Sequence, residues 1–276
     1  MTPNPIRSWP GAAVRGLAGL TLIPRVAWLS ARAPRDAHHG WDGFWAGVRE
    51  TGNGGDVLWD SSDDNEARGY LPILREKFDP DLAIVDIGCG NGRFTRLLAP
   101  EFMRAVGVDV SPHAIGRARA ETGAGENVEF DVLDVAAPGA GAELRERFGE
   151  ANVFVRGLFH VLDQQARSAV AENLRKLVGN RGRVLLAETD YRGSTLNYLR
   201  HLGATSRRIP PPLENAVVWL PKPGHFGSAE RRLVFPDHRW RLISDGATTI
   251  EAVPMRTNDA AERIPGYFAV LERMTG

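Results

Sequence analysis

The stretch Ala83-Ile84-Val85-Asp86-Ile87-Gly88-Cys89-Gly90-Asn91-Gly92-Arg93-Phe94 decides how the rest of the chain is read. A short apolar run carries one acid, three glycines follow at a spacing of two, and Phe94-Thr95-Arg96-Leu97-Leu98-Ala99 then takes up a helical pattern. That succession predicts a buried strand, a tight glycine turn and a helix start. It is the layout of a nucleotide-type site at the carboxyl edge of a parallel sheet. Glycine lets the backbone adopt positive φ and approach a ligand closely. A dinucleotide loop of the G-x-G-x-x-G kind needs its third glycine at 93, where this chain has Arg93, and it has no acid in the place of Asp86.

Two further apolar runs end in acids. Ala105-Val106-Gly107-Val108-Asp109-Val110-Ser111 is the first, and its Asp109 lies 21 residues after Gly88. A Rossmann-type fold sets a carboxylate at that distance to accept from two vicinal ribose hydroxyls. Ser111-Pro112 then begins a helix, with Ser111 as N-cap and proline in the first turn. The next strand, Val128 to Val135, carries Asp134 near its end.

The glycine segment resembles motif I of the class I S-adenosylmethionine (SAM)-dependent methyltransferases, D/E-x-G-x-G-x-G, with Asp86, Gly88, Gly90 and Gly92 in the four named places. The resemblance covers about residues 80–190 and, less fully, 237–274. It implies an α/β, Rossmann-like seven-stranded sheet of order 3-2-1-4-5-7-6, strand 7 antiparallel, flanked by helices. It implies SAM as cofactor and S-adenosylhomocysteine as product. The cofactor would be held by Asp86, Gly88, Cys89, Gly90 and Gly92 of the loop, by Asp109 and Val110, and by Asp134 toward the adenine amino group. The Val135 N–H would meet a ring nitrogen, with Arg156 and Trp59 completing the set.

Length and composition agree with such an enzyme. At 276 residues the chain suits one large α/β domain with additions, or two small domains. With 34 basic and 34 acidic residues the formal net charge is zero, so the whole-chain balance makes no electrostatic case for a nucleic-acid or membrane partner. Cys89 is the only cysteine, which excludes a disulfide framework. The fairly apolar stretch 11–30 is interrupted by Arg15, Pro24 and Arg25, so its apolar runs are too short to span a bilayer; it reads as a helical arm of a cytoplasmic protein, monomeric or homodimeric.

Two units are expected: a helical N-terminal extension or lid over residues 1–78, and a SAM-binding domain over 79–276. The extension holds five of the seven tryptophans, and the glycine-rich Thr51–Asp56 loop beside Trp59 suits a hinge. Trp45 reads as packing. Residues 191–236 break the strand–helix alternation and, by the resemblance, shape an acceptor pocket. Trp240–Ala247 looks like a last helix stopped by glycine. Thr248–Val253 and Gly266–Leu271 look like a closing hairpin.

Methyl transfer from a sulfonium is an in-line displacement, so nucleophile and methyl must be aligned and kept dry. A hydroxyl acceptor also needs a base. His160, just beyond the fourth strand, is the first candidate; Asp190 and His225 are the others. Glu188 ends the next strand on the same edge. Phe159, Tyr191, Tyr198, His201 and Phe226 are candidates for the pocket, and Arg207 and Arg208 for an acidic acceptor. The N/D-P-P-Y/F element of base-modifying N-methyltransferases is missing, since its place reads Arg156-Gly157-Leu158-Phe159. No metal-ligand cluster stands out. The expected function is methylation of a small-molecule acceptor, at oxygen, in bacterial specialised metabolism. N-, S- or C-methylation, a peptide acceptor, and a SAM-binding partner protein without turnover are the alternatives.

Overall fold

In the computed structural model, residues 19–34, 36–52, 54–60, 64–123, 127–205, 208–252 and 262–274 are described, the side chains of 19–21, 201 and 262 excepted. Seven strands form one sheet: β1 Ile84–Ile87, β2 Ala105–Asp109, β3 Val128–Val132, β4 Asn152–Arg156, β5 Arg183–Thr189, β6 Trp240–Ala252 and β7 Glu262–Arg273. Their order is β3-β2-β1-β4-β5-β7-β6. The first five run parallel, with Ile84 opposite Ala105 on one side and Asn152 on the other. β7 enters antiparallel between β5 and β6. The strand order therefore reverses between β1 and β4, and a ligand crevice opens beyond the carboxyl ends at such a point.

Both faces are covered, which is why β1, β2 and most of β4 and β5 are buried along their length. On one face Ile84, Phe154, Leu185 and Val270 pack under α1 (Gly19–Ser30), α2 (Ala37–Ala46), α3 (Asn65–Lys77), α8 (Thr195–His201) and α9 (Pro211–Trp219). On the other, Val85, Val153, Val184 and Leu271 pack against α6 (Ala140–Phe148), α7 (Gln164–Val178) and α10 (Ser228–Val234). α7 turns Val170, Leu174 and Leu177 inward, and each such side chain contributes about 1.5–3 kcal/mol by leaving water. α4 (Arg93–Leu98) and α5 (Pro112–Ala120) complete the domain. Ser111 caps α5 by accepting from the Ala114 N–H, and Asp163 caps α7 through Ala166.

Two readings change. Trp240–Ala247 is strand, the first half of β6, and the helix of this region is α10. A bulge between Leu242 and Ser244 explains the confusion. It adds a residue and breaks the alternation, so that Trp240 packs on one face and Ile243 on the other, and the period-two pattern of a strand is lost. The insertion at 191–236, in turn, is half helical. Ser194 caps α8, Pro211 and Pro212 occupy the first positions of α9, and α10 follows.

Candidate active site

The glycine turn joins β1 to α4 at the point where the strand order reverses. Gly88, Gly90 and Gly92 all have positive φ, at 75°, 56° and 73°. Two of them have steric reasons as well. A Cβ on Gly92 would enter the Phe130 ring, and one on Gly90 would lie 2.7 Å from the Trp45 indole. Asp86, buried in β1, accepts from Thr95 Oγ1 at 2.6 Å. Burial pushes its carboxyl up to about 7 against that hydrogen bond, with Asp109 adding to the rise. Asp109, at the end of β2, accepts from the Gly90 N–H at 2.9 Å and the Ser111 N–H at 2.9 Å. Burial raises its carboxyl too. Two carboxylates resisting ionisation beside a positive-φ loop suit a ligand that brings its own positive charge and vicinal hydroxyls.

A cover lies on this loop. α2 docks on the start of α5 through Asp42, which accepts from Ser111 Oγ at 2.7 Å and from the His113 N–H and Nδ1 at 3.1 and 2.9 Å. His38 reaches Asp134 at 3.2 Å. Trp45 rests on Gly90, and Trp59 stacks on Phe44 with centroids 5.2 Å apart, meeting Trp45 edge-on. Asp60 then ties the segment after α2 to the loop. It accepts from the Gly52 N–H at 2.7 Å and Asn91 Nδ2 at 3.1 Å, and it pairs with Arg93 at 3.3 Å. Arg93 also pairs with Asp64 at 2.7 Å. The residue that breaks the dinucleotide pattern thus fastens the cover to the glycine turn.

Beyond β4 the chain turns at Gly157 and passes through a 3-10 turn, Phe159–Val161. Glu188, fully buried at the end of β5, organises this turn. One carboxylate oxygen accepts from the Leu158 and Phe159 N–H groups, both at 2.9 Å; the other accepts from the His160 N–H at 3.2 Å and from His160 Nδ1 at 2.9 Å. A carboxylate only accepts, so Nδ1 carries a proton, and it is in the neutral imidazole that Nε2 has the lone pair. Leu158 in the same turn lies 3.6 Å from where a Gly88 Cβ would stand, so the turn abuts the cofactor loop. Residues 224–226 run alongside: the Gly224 N–H donates to His160 O and the Phe226 N–H to Thr189 O. His225 Nε2 contacts Glu230 at 3.1 Å, and Asp190 pairs with Arg192 at 3.0 Å, next to Gly227.

His160, Asp190 and His225 therefore gather around the end of β5, and Tyr191 and Tyr198 meet at 5.3 Å on the face of α8. Burial pushes the Tyr198 phenol up to about 12. Phe159 and Phe226 do not join them. Both are fully buried on the opposite face, in contact with one another and, through Phe159, with Phe235. Phe159 lies in the 3-10 turn after β4 and Phe226 in the loop before α10, and their mutual contact and that with Phe235 make them core. Arg156 is also differently employed. It forms a bidentate pair with Glu66 at 2.6 Å for both bonds and donates to Glu251 O, tying β4 to α3 and β6. His201 closes α8, its side chain outside the described residues, and Arg207 lies outside them as well. Among the described residues no group of three His, Cys, Asp or Glu side chains is arranged for a metal. No helix there is long and apolar enough to cross a membrane.

Comparison with known proteins agrees with this geometry. The methyltransferase domain family matches over residues 84–182. A solved SAM-dependent methyltransferase from Anabaena variabilis superposes with a TM-score of 0.73 at 25% identity, covering 88% of this chain and 97% of that one. The magnesium protoporphyrin IX methyltransferase of Synechocystis, solved with S-adenosylhomocysteine, shares the fold at a TM-score of 0.52 and 17% identity, over 76% of this chain and 82% of that one. Nodulation protein S of Bradyrhizobium diazoefficiens is 38% identical over 72 residues, 25% of this chain, and the match spans about a third of that relative's length. Residues 84–182 match the methyltransferase domain family, the fold is shared with solved SAM-dependent methyltransferases, and both point to SAM as the cofactor.

Proposed function

We propose that this protein transfers a methyl group to a hydroxyl oxygen of a small-molecule acceptor, with His160 as general base and Glu188 as the residue that positions it. The carrying observation is the Nδ1–H to Glu188 contact in a turn that touches the cofactor loop through Leu158 and Gly88. SAM supplies a methyl group already activated on a sulfonium. Asp109 and the turn Gly88–Gly92 would hold its ribose and methionine portion. Asp134 would accept from the adenine once His38 yields or shares the carboxylate. Trp45 and Trp59 would exclude water, and their ring faces favour a nearby cation. The segment from α2 to Asp64 would act as the lid. At the acceptor side, Nε2 of His160 would take the hydroxyl proton as the oxygen commits to the methyl carbon, and Glu188 would stabilise the imidazolium formed.

The reading is tested by SAM turnover against matched phenols, alcohols and amines. His160→Gln is expected to lower kcat on a hydroxyl acceptor by about 10²–10⁴-fold and to leave the SAM Kd within a few-fold. The wild-type rate is expected to fall on the acid side, because deprotonated imidazole is the active form. A rate flat with pH together with near-normal activity in the variant would remove the base from the account.

A further inference from the structure

The zero net charge of the chain conceals a segregation at its N-terminal end. Arg7, Arg15, Arg25, Arg32 and Arg35 lie in residues 1–35, which contain none of the 34 acidic residues. α1 is the part of this stretch whose packing is described. Leu22 and Leu29 turn inward, and Arg25 pairs with Glu214 of α9 at 3.2 Å. On the outer side, Ile23, Pro24, Ala27 and Trp28 are exposed, Ile23 at 53% and Trp28 at 58%. At 100° per residue these four positions form one continuous arc with Arg25 beside it, and Arg32 follows in the turn just past the helix. The Arg32 guanidinium lies 4.3 Å from the Trp28 ring centre.

An exposed apolar arc with a tryptophan, bordered by arginines and continuous with an acid-free segment, has the chemistry of a helix that lies in a membrane interface. Indole prefers the headgroup level, and arginines beside it meet the negative potential of acidic lipids. We propose that α1 docks this enzyme on an anionic phospholipid surface. The arc is two helical turns long, so the contact is peripheral and reversible. Charge complementarity selects this occupant over a second copy of the chain, which would bring Arg32, from a stretch of sequence that carries no acid, against its own.

The test is flotation of the full chain with vesicles of phosphatidylcholine alone, or with about one-third phosphatidylglycerol, at low and high salt. Binding to the acidic vesicles alone, weakened by salt, is the expected result. Trp28→Ser is expected to reduce partitioning by about tenfold through lost apolar contact. Arg32→Gln is expected to reduce it by about fivefold through lost charge. Both side chains are on the surface, so unchanged melting and SAM binding will show that the variants are folded. Equal binding to both vesicle types, no binding to either, or full binding by Trp28→Ser would overturn the proposal. A dimer in light scattering that Trp28→Ser dissolves, without vesicle binding, would assign the arc to self-association and overturn it as well.

Discussion

Asp86, buried beside the glycine turn, shows at the level of one residue what such burial costs. Its carboxyl ionises near 3.8 in the unfolded chain and is pushed up to about 7 in the fold, chiefly by burial. Between those values the native state holds a proton that the unfolded chain has released, so stability falls as pH rises through the window, and the penalty is complete above the upper value. Asp86→Asn is therefore expected to raise Tm at about pH 8 and to give much less gain near pH 4, while weakening SAM binding. Thermal melts at the two pH values check this; the same Tm change at both would contradict it. Gly92 makes a second case. Alanine there must hold φ of 73° and intrude on Phe130, and both effects destabilise.

At the scale of elements, the cover is a set of polar ties between α2, the segment after it and the rims of β2 and β3. Asp42 is one of them, with three donors from Ser111 and His113. Asp42→Ala is expected to speed proteolysis and hydrogen exchange between residues 47 and 60 and to raise the SAM Kd, with the sheet melting nearly as before. Unchanged protection would mean that Trp45 and its aromatic neighbours hold the cover without Asp42. The same elements show what was legible in the sequence. The glycine loop, the cap at Ser111 and the acids ending β1 and β2 are local patterns, each written within a dozen residues. The β6 bulge erased the alternation that marks a strand. The ties that build the site join residues far apart: Asp42 to Ser111, Asp60 to Asn91, Glu188 to His160, Glu66 to Arg156. Nothing local announces them. Trp45 read as packing, yet it is the side chain that lies on Gly90. A signal for Glu188 was present, since it is a further acid at a strand end, but its partner was not.

Taken as a whole molecule, the chain sets a buried acidic pair and a glycine turn at the reversal of strand order, and places a histidine–glutamate pair one turn away. Helical cover comes from the segment before the sheet and from the insertion after β5. The central claim is that SAM binds at that turn with Asp109 on its ribose, and calorimetry of SAM with wild type and Asp109→Ala tests it most directly. Wild type is expected to bind SAM and S-adenosylhomocysteine, and the variant to lose about 1.5–3 kcal/mol, roughly ten- to a hundredfold in Kd. Folded wild type that ignores SAM, or a variant that binds it equally well, would contradict the account.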